Sequence, residues 1–174
     1  MNILLFIVYG LIGLKFGKWK NFNVFYPTLL FFIIGDLLYQ FLLFEHTMWM
    51  FHPVGLIDKW FHLNHTLIVL GKMMIQYPVT IAIFLAQMPS DNTNKLLWVG
   101  LWSGIYAVFE GVAQLSGILT YHRGWHYGWD LIFNVIIFSM LLLHHKKPLI
   151  AWFLCIPIIL GLWWIFDVPF SVLK

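Results

Sequence analysis

The residue types best suited to chemistry form a series at a constant spacing of four: His122, His126, Asp130 and Asn134. If a helix begins before His122, this spacing stacks the side chains along one helix face. Two histidines one turn apart, with a carboxylate one turn further on, can supply metal ligands from a single helix. A zinc enzyme needs three protein ligands and one open coordination position. The series therefore suggests zinc as a cofactor, bound by His122, His126 and Asp130, with His65 as a ligand from another segment.

Two observations weigh against this metal site. Gly124 and Gly128 weaken helix formation in the stretch where a helix is required. Most of the eight histidines also fall on the same predicted side of the membrane as the series, where neutral imidazoles are ordinary interfacial residues. The sequence does not decide between His62 and His65 as the additional ligand, so the metal site remains one hypothesis among others.

A second group of ionisable residues lies inside apolar runs. Asp36, Lys72 and Glu110 belong to three different runs, and each lies roughly 12–14 Å along a helix from the same predicted end. A charged side chain that faces lipid at that depth costs at least about 2.5 kcal/mol. The three side chains are therefore expected to point inward and to meet one another or water, in an arrangement where Lys72 can neutralise one of the two carboxylates.

Amides at helical spacing extend this group. The predicted polar cavity consists of Asp36, Lys72, Gln76, Glu110, Gln114 and Asn134. Such a set either fixes helix packing through buried polar contacts or forms a site for a solute, a proton or an ion, the usual role of ionisable residues inside a membrane. The depths predict that the cavity opens toward the outer side.

The composition defines the elements that must position these residues. Hydrophobic residues make up 61% of the 174 residues, charged residues only 10%, and the mean hydropathy is +0.85. Soluble domains carry roughly 25% charged residues, so we expect a single integral membrane domain over residues 1–174. The net charge of +3 comes from scattered lysines, which excludes a nucleic-acid surface. The single Cys155 excludes a disulfide framework.

Six apolar runs predict an all-α, polytopic transmembrane helical bundle. The runs are Asn2–Leu14, Pro27–Phe44, His65–Met88, Lys95–Leu119, His126–Leu143 and Leu149–Phe166. The first is short, because a spanning helix needs roughly 20 residues, and the sequence leaves open whether it spans fully or only in part. Pro78 should kink the third helix and free a backbone carbonyl.

Loop charges predict how the bundle lies in the membrane. The first, third and fifth loops carry Lys15, Lys18, Lys20, Lys95, Lys146 and Lys147, whereas the second and fourth carry only Lys59 and Arg123. The positive-inside rule then places the lysine-rich odd loops in the cytoplasm, and the histidine-rich loops and both termini outside.

The second loop, residues 45–64, is the longest and is unusually apolar for a loop. Trp49, Phe51, Trp60 and Phe61 alternate there with polar and charged side chains. Amphipathic segments of this kind lie in a membrane interface. We therefore expect this extracytoplasmic loop to lie in the outer interface or to fold over the bundle as a lid.

Several segments carry a family resemblance: Tyr26–Phe31, Gly35–Tyr39, Gly124–Trp125, Leu131–Asn134 and His144–Trp152. In these segments the chain resembles an uncharacterised family of small multi-pass membrane proteins of endospore-forming Gram-positive bacteria. The resemblance spans nearly the whole chain and implies a multi-pass protein of a bacterial plasma membrane. It brings no activity with it.

The resemblance bears unequally on the two candidate sites. Asp36 and Asn134 fall within the resembling segments. The family pattern includes neither a histidine at the position of His126 nor an acid at that of Asp130, and this counts against a family-wide metal site.

Three functions follow as hypotheses. The first is a membrane protein whose outward-facing polar cavity binds or conducts a small solute or ion, with proton coupling through Asp36, Lys72 and Glu110. The alternative is a zinc-dependent, membrane-embedded hydrolase of a lipid or lipid-linked substrate that uses His122, His126 and Asp130. The third is a structural subunit that binds another membrane protein or a second copy of itself. All three place the chain in a lipid bilayer, and none involves nucleic acid.

Overall fold

The computed structural model describes residues 1–172, and most of them are helical. The helices and strands are α1 (Asn2–Phe16), α2 (Phe22–Leu42), β1 (Trp49–Phe51), α3 (Leu56–Trp60), α4 (His65–Gly71), a π-helical segment (Lys72–Gln76), α5 (Tyr77–Phe84), α6 (Asn92–Leu115), β2 (Leu119–Tyr121), α7 (Tyr127–Lys146) and α8 (Pro148–Ile165). Short 3₁₀ turns lie at Trp19–Asn21 and Phe170–Val172.

Five helical segments are long and apolar enough to span a membrane: Trp19–Leu42, His65–Phe84, Asn92–Leu115, Tyr127–Lys146 and Pro148–Ile165. The 15-residue α1 is apolar but shorter. The predicted fold class, an all-α polytopic transmembrane bundle, is confirmed. The segments are helical because an apolar chain satisfies its backbone polar groups in lipid only through internal hydrogen bonds.

Local signals set the helix ends. The Asp91 side chain accepts a hydrogen bond from the Asn94 N–H at 3.0 Å and caps α6, and Asn64 caps α4 through the Leu67 N–H at 3.0 Å. These side chains satisfy donors that have no partner within the helix. Pro148 begins α8, at a position where its missing N–H is harmless.

The third span changes its winding where Lys72 lies. The π-helical segment Lys72–Gln76 connects α4 to α5 and directly precedes Pro78. A proline ring collides with the carbonyl four residues earlier, and local widening of the helix relieves such a collision. The sequence predicts a kink at Pro78, and the structure shows a π-helical segment there. Compared with a regular α-helix, this π-helical segment changes the direction in which the side chains of Lys72 and Gln76 point.

Helix packing places the third span at the centre. The segment from α4 to α5 packs against α1 and α2, α6 packs against α7, and α7 also packs against α2 and α8. Ile81, Ala82 and Phe84 are wholly buried, as is Phe138 on α7. By contrast, α8 buries only Ala151.

A two-stranded sheet joins the second and fourth loops. β1 and β2 pair antiparallel, with Trp49 opposite Tyr121 and Phe51 opposite Leu119. The prediction that the fourth helix extends to Leu119 is wrong: α6 ends at Leu115, and Gly117 then adopts a φ of +74°. A left-handed glycine is a common helix terminator, and the chain beyond it is free to pair as a strand. This end of the bundle is called the sheet end below.

Asp58 on α3 holds the beginning of α1. Its carboxylate accepts hydrogen bonds from the Asn2 N–H at 2.9 Å, the Ile3 N–H at 3.2 Å and the Val54 N–H at 3.0 Å, and it pairs with the Met1 ammonium at 2.8 Å. Burial by itself would raise the pKa of Asp58, but these hydrogen bonds, with one from the Asn2 side chain, hold the pKa well below its ordinary value. Within residues 45–64, α3 is thus bound to α1 and β1 to β2.

Candidate functional site

A cavity of about 240 Å³ lies among the helices. One face each of α2, α7 and α8 forms most of its wall, and the π-helical segment, α5 and α6 contribute the remaining polar side chains. Polar groups at the cavity are Asp36, Tyr39, Lys72, Tyr77, Tyr106, Glu110, Asp130 and Asn134. The structure therefore brings Asp36, Lys72, Glu110 and Asn134 of the predicted polar cavity to one cavity.

Asp36 ends a chain of hydrogen bonds that begins at β1. The Phe51 N–H donates to His65 Nδ1 at 3.0 Å, so Nε2 carries the proton and donates to Gln40 Oε1 at 3.1 Å. Gln40 Nε2 in turn donates to Asp36 Oδ1 at 3.2 Å, and the Tyr77 hydroxyl donates to Asp36 Oδ2 at 2.6 Å. Both oxygens of Asp36 are therefore occupied by protein donors.

Glu110 and Asn134 form a pair that is only half satisfied. Asn134 Nδ2 donates to Glu110 Oε2 at 2.5 Å, and this is the hydrogen bond that the Glu110 carboxylate makes within residues 1–172. Asn134 is 2% exposed, yet its Oδ1 has no hydrogen-bond partner among the described residues. A buried polar atom without a partner costs about 1–3 kcal/mol. The pair thus leaves one amide oxygen and one carboxylate oxygen without a hydrogen-bond partner in the described chain, in two residues that line the cavity.

Lys72 shares the cavity with the carboxylates but does not touch them. Its Nζ lies 4.0 Å from the ring centroid of Phe51, a cation–π contact. In the described part of the chain, the only ion pair within 4.0 Å joins Met1 and Asp58. The expectation that Lys72 pairs with one carboxylate is therefore wrong, since the ammonium lies against an aromatic ring instead.

Asp130 ties the sheet to α7. It accepts hydrogen bonds from the Tyr121 hydroxyl and, at 2.6 Å, from Trp125 Nε1, and it is 7% exposed. Burial, together with the hydrogen bond to Asp130 and its charge, raises the pKa of Tyr121 above its ordinary value. Asp130 thus lines the cavity with both oxygens occupied and anchors β2 to α7.

Aromatic rings line the sheet end of the cavity. Trp49 stacks on Tyr39 with centroids 3.9 Å apart and contacts Trp125 at 5.0 Å, and Trp125 contacts Phe133 at 5.5 Å. Trp125 is 4% exposed, so this ring belongs to the interior of the bundle. Its indole N–H is bound by Asp130, which allows the ring to be buried.

Two residues of the predicted polar cavity do not line it. Gln76 Nε2 donates to the Tyr9 hydroxyl at 3.3 Å, toward α1. Gln114 is exposed one residue before the end of α6. Helical spacing places Gln76 beneath Lys72, but the π-helical winding between them rotates it away.

The predicted metal ligands are not gathered into a site. The metal site requires a helix that includes His122, and this condition is not met, because Arg123 and Gly124 adopt φ values of 56° and 80° and turn the chain before α7 begins at Tyr127. His122 is exposed and pairs with Thr120 at 3.0 Å. His126 caps α7, its Nδ1 accepting from the Gly128 N–H at 3.1 Å.

His65 and Asp130 are equally engaged elsewhere, with both polar atoms of each side chain in hydrogen bonds. Within residues 1–172 no group of three or more histidine, cysteine, aspartate or glutamate residues is placed to hold a metal ion. The residues present therefore do not fit zinc at the predicted position.

Sequence reasoning missed the tyrosines and the α8 wall. Tyr77 and Tyr39 each bind a polar partner in the cavity region, Asp36 for Tyr77 and the Met48 N–H for Tyr39. Cys155 lines the cavity from α8. The position of Tyr39 three residues after Asp36 is a usable signal, since it lies on the same helix face. For α8, which is apolar all round, the sequence offers none.

Comparisons with models of protein families, with curated proteins and with solved structures found no match. The family resemblance therefore stays a prediction.

Taken together, the site combines three carboxyl groups and one ammonium with a largely apolar wall. Both oxygens of Asp36 and of Asp130 accept from protein donors, whereas Lys72 Nζ, one oxygen of Glu110 and Asn134 Oδ1 have no hydrogen-bond partner in the described chain and belong to residues that line the cavity. These three groups can bind a ligand through charge and hydrogen bonds.

Proposed function

We propose that this protein binds a small solute in the cavity among its spanning helices, with proton exchange at the ionisable groups of the cavity, Asp36, Lys72 and Glu110. The histidine-rich sheet end faces the outside of a bacterial plasma membrane in this proposal, and the lysine-rich end faces the cytoplasm.

One observation carries the proposal: a buried amide oxygen, Asn134 Oδ1, has no hydrogen-bond partner among residues 1–172, and its residue borders a cavity. A polar network that served packing alone would close on itself, because leaving one buried acceptor open costs free energy that an apolar core would not lose. One oxygen of the adjacent Glu110 and the ammonium of Lys72 likewise have no hydrogen-bond partner in the described chain. Three open polar groups at one cavity are what a binding site requires.

The two other hypotheses receive less support. The zinc hydrolase needs ligands that the described residues do not bring together. A purely structural subunit accounts for the apolar outer faces but not for the open polar groups inside.

The test is native mass spectrometry of the protein released from lipid nanodiscs after mild purification. We expect a bound small molecule on the wild-type protein that is lost from Asn134→Leu, since leucine removes the open acceptor and keeps the number and branching of the side-chain heavy atoms. Ser103→Ala is the matched control: Ser103 is also buried, but it donates to its own helix at Val99 O, 2.8 Å away, and does not line the cavity.

Retention of the same molecule by Asn134→Leu would contradict the proposal. Once the molecule is identified, its affinity across a pH series tests the proton exchange. An affinity that does not depend on pH would refute the proposed proton exchange at the cavity.

A further inference from the structure

We propose that the solute is an amphiphile with a cationic amine head and an apolar tail, which enters from the bilayer between α2 and α8. This inference rests on the proposed function of the cavity as a binding site and names the chemical class of its ligand.

The open polar groups lie at one end of the cavity. Asn134 lies seven residues after the start of α7, Lys72 seven after the start of α4, and Glu110 five before the end of α6. These offsets correspond to roughly 8–10 Å from the sheet end of each helix. The head of a ligand that satisfies the two acceptors, on Glu110 and Asn134, is therefore in the half of the bundle nearest the sheet.

The rest of the cavity is long and apolar. The α8 wall extends from Trp152 to Trp163 and the α2 wall from Phe31 to Leu42, which is roughly 16 Å along each helix. Asp36 is the only charged side chain on these two walls, and its oxygens are already bound by Tyr77 and Gln40. A chain of methylene groups fits such a wall, whereas a compact polar solute leaves it unfilled.

The cavity reaches the lipid-facing surface of the bundle. Leu38 and Trp152 line it and are also 37% and 36% exposed. Gly35 lines it as well, is exposed, and would place an added Cβ with no atom within 4 Å. α8 packs mainly on α7 rather than on α2. The side between α2 and α8 therefore offers an entry for a lipid-soluble molecule.

Charge selects the head group. Three carboxyl groups, Asp36, Glu110 and Asp130, face the cavity against the single ammonium of Lys72. The free oxygen of Glu110 and Asn134 Oδ1 are both acceptors, and an alkylammonium supplies donors to both while it offsets the excess of acidic groups. An anionic head would face three carboxyl groups and would leave both acceptors open.

The test uses one chain length with three heads: dodecylamine, dodecanol and dodecanoate, titrated onto the protein in nanodiscs and corrected for partition into empty nanodiscs. Ethylamine tests the need for a tail. We expect dodecylamine to bind roughly tenfold or more tighter than the other three probes. Equal binding of dodecanol, or tighter binding of dodecanoate, would refute the inference that the ligand has an amine head. Equal binding of ethylamine would refute the inference that it has an apolar tail.

Different variants test the binding of the amine head and the entry of the ligand from the bilayer. Glu110→Gln keeps an acceptor for Asn134 but loses the charge, and should weaken dodecylamine binding about tenfold; Lys72→Met removes a competing cation and should tighten it. Gly35→Phe should abolish binding by filling the entry, whereas Gly100→Phe, at an exposed helix glycine with equally open space outside the cavity, should not. Unchanged binding in Gly35→Phe would refute the lateral entry.

The two proposals fail in different ways. If dodecanol or dodecanoate binds best and Asn134→Leu removes it, the cavity is a binding site and only the amine class is wrong. If none of the four probes binds and no molecule is retained on the wild-type protein, the proposed function itself fails.

Discussion

The hydrogen bonds around Asp58 make a strong prediction about how α1 is held to the bundle. Asp58 has no exposed surface, and its oxygens accept from the N–H groups of Asn2, Ile3 and Val54. In Asp58→Asn one of the two oxygens becomes an NH₂ group. This group is itself a donor, so it cannot accept the hydrogen bond of the N–H group that it faces. A hydrogen bond to a charged group contributes about 1.5–3 kcal/mol, so we expect a loss of about 2 kcal/mol in the free energy of unfolding.

For a chain of this size that loss corresponds to about 4–8 °C in Tm, measured by circular dichroism in mild detergent. Asp91→Asn is the matched control, since Asp91 caps α6 on an exposed surface and asparagine caps a helix about as well as aspartate. Equal, near-zero shifts in the two variants would refute the role of Asp58 in docking α1 onto α3.

The same carboxylate predicts the sign of a pH effect. The folded state holds the pKa of Asp58 below its ordinary value, so its contribution to stability is complete above the unfolded pKa of about 4 and is lost as the pH falls toward the lowered folded pKa. The difference in Tm between wild type and Asp58→Asn should be constant between neutral pH and about pH 5 and should shrink in more acidic buffer. A difference that grew on acidification would contradict this assignment.

Two further predictions concern helix packing. Gly71→Ala should destabilise the protein by about 1–3 kcal/mol, because the new Cβ would lie 2.5 Å from the Phe6 ring. Gly10→Ala, with open space around its Cβ, should instead stabilise it by about 0.5–1 kcal/mol. Equal shifts in Tm for the two variants would show that α1 does not pack against Gly71. Thr28→Val should lower the free energy of unfolding by about 1 kcal/mol, because Thr28 Oγ1 lies 3.1 Å from His144 Nδ1 between α2 and α7. If the changes in unfolding free energy of Thr28→Val and His144→Leu add fully in the double variant, the two side chains do not interact.

The fold class was predictable because it depends on local quantities. Apolar runs of about 20 residues identify spanning helices without knowledge of their neighbours, and all five spans lie within or overlap the predicted runs. The cost of a charge in lipid likewise requires Asp36, Lys72 and Glu110 to face inward, and the structure places all three at one cavity.

Rotation about the helix axis was less predictable. Gln76 is placed on the face of Lys72 by regular helical spacing, but the π-helical segment ahead of Pro78 turns it toward Tyr9. A helix that is apolar on every side carries no sequence signal for its inward face, which is why the cavity wall formed by α8 was not foreseen.

By itself, the sequence determined the fold class and the approximate positions of the spans, since both follow from hydropathy and from the length of helix that crosses a membrane. Only the tertiary structure decided which polar groups meet. Strand pairing between Trp49 and Tyr121 and the left-handed turn at Gly124 separate the histidine series and bury Trp125. These outcomes depend on contacts between segments about 70 residues apart, which spacing along one helix does not encode.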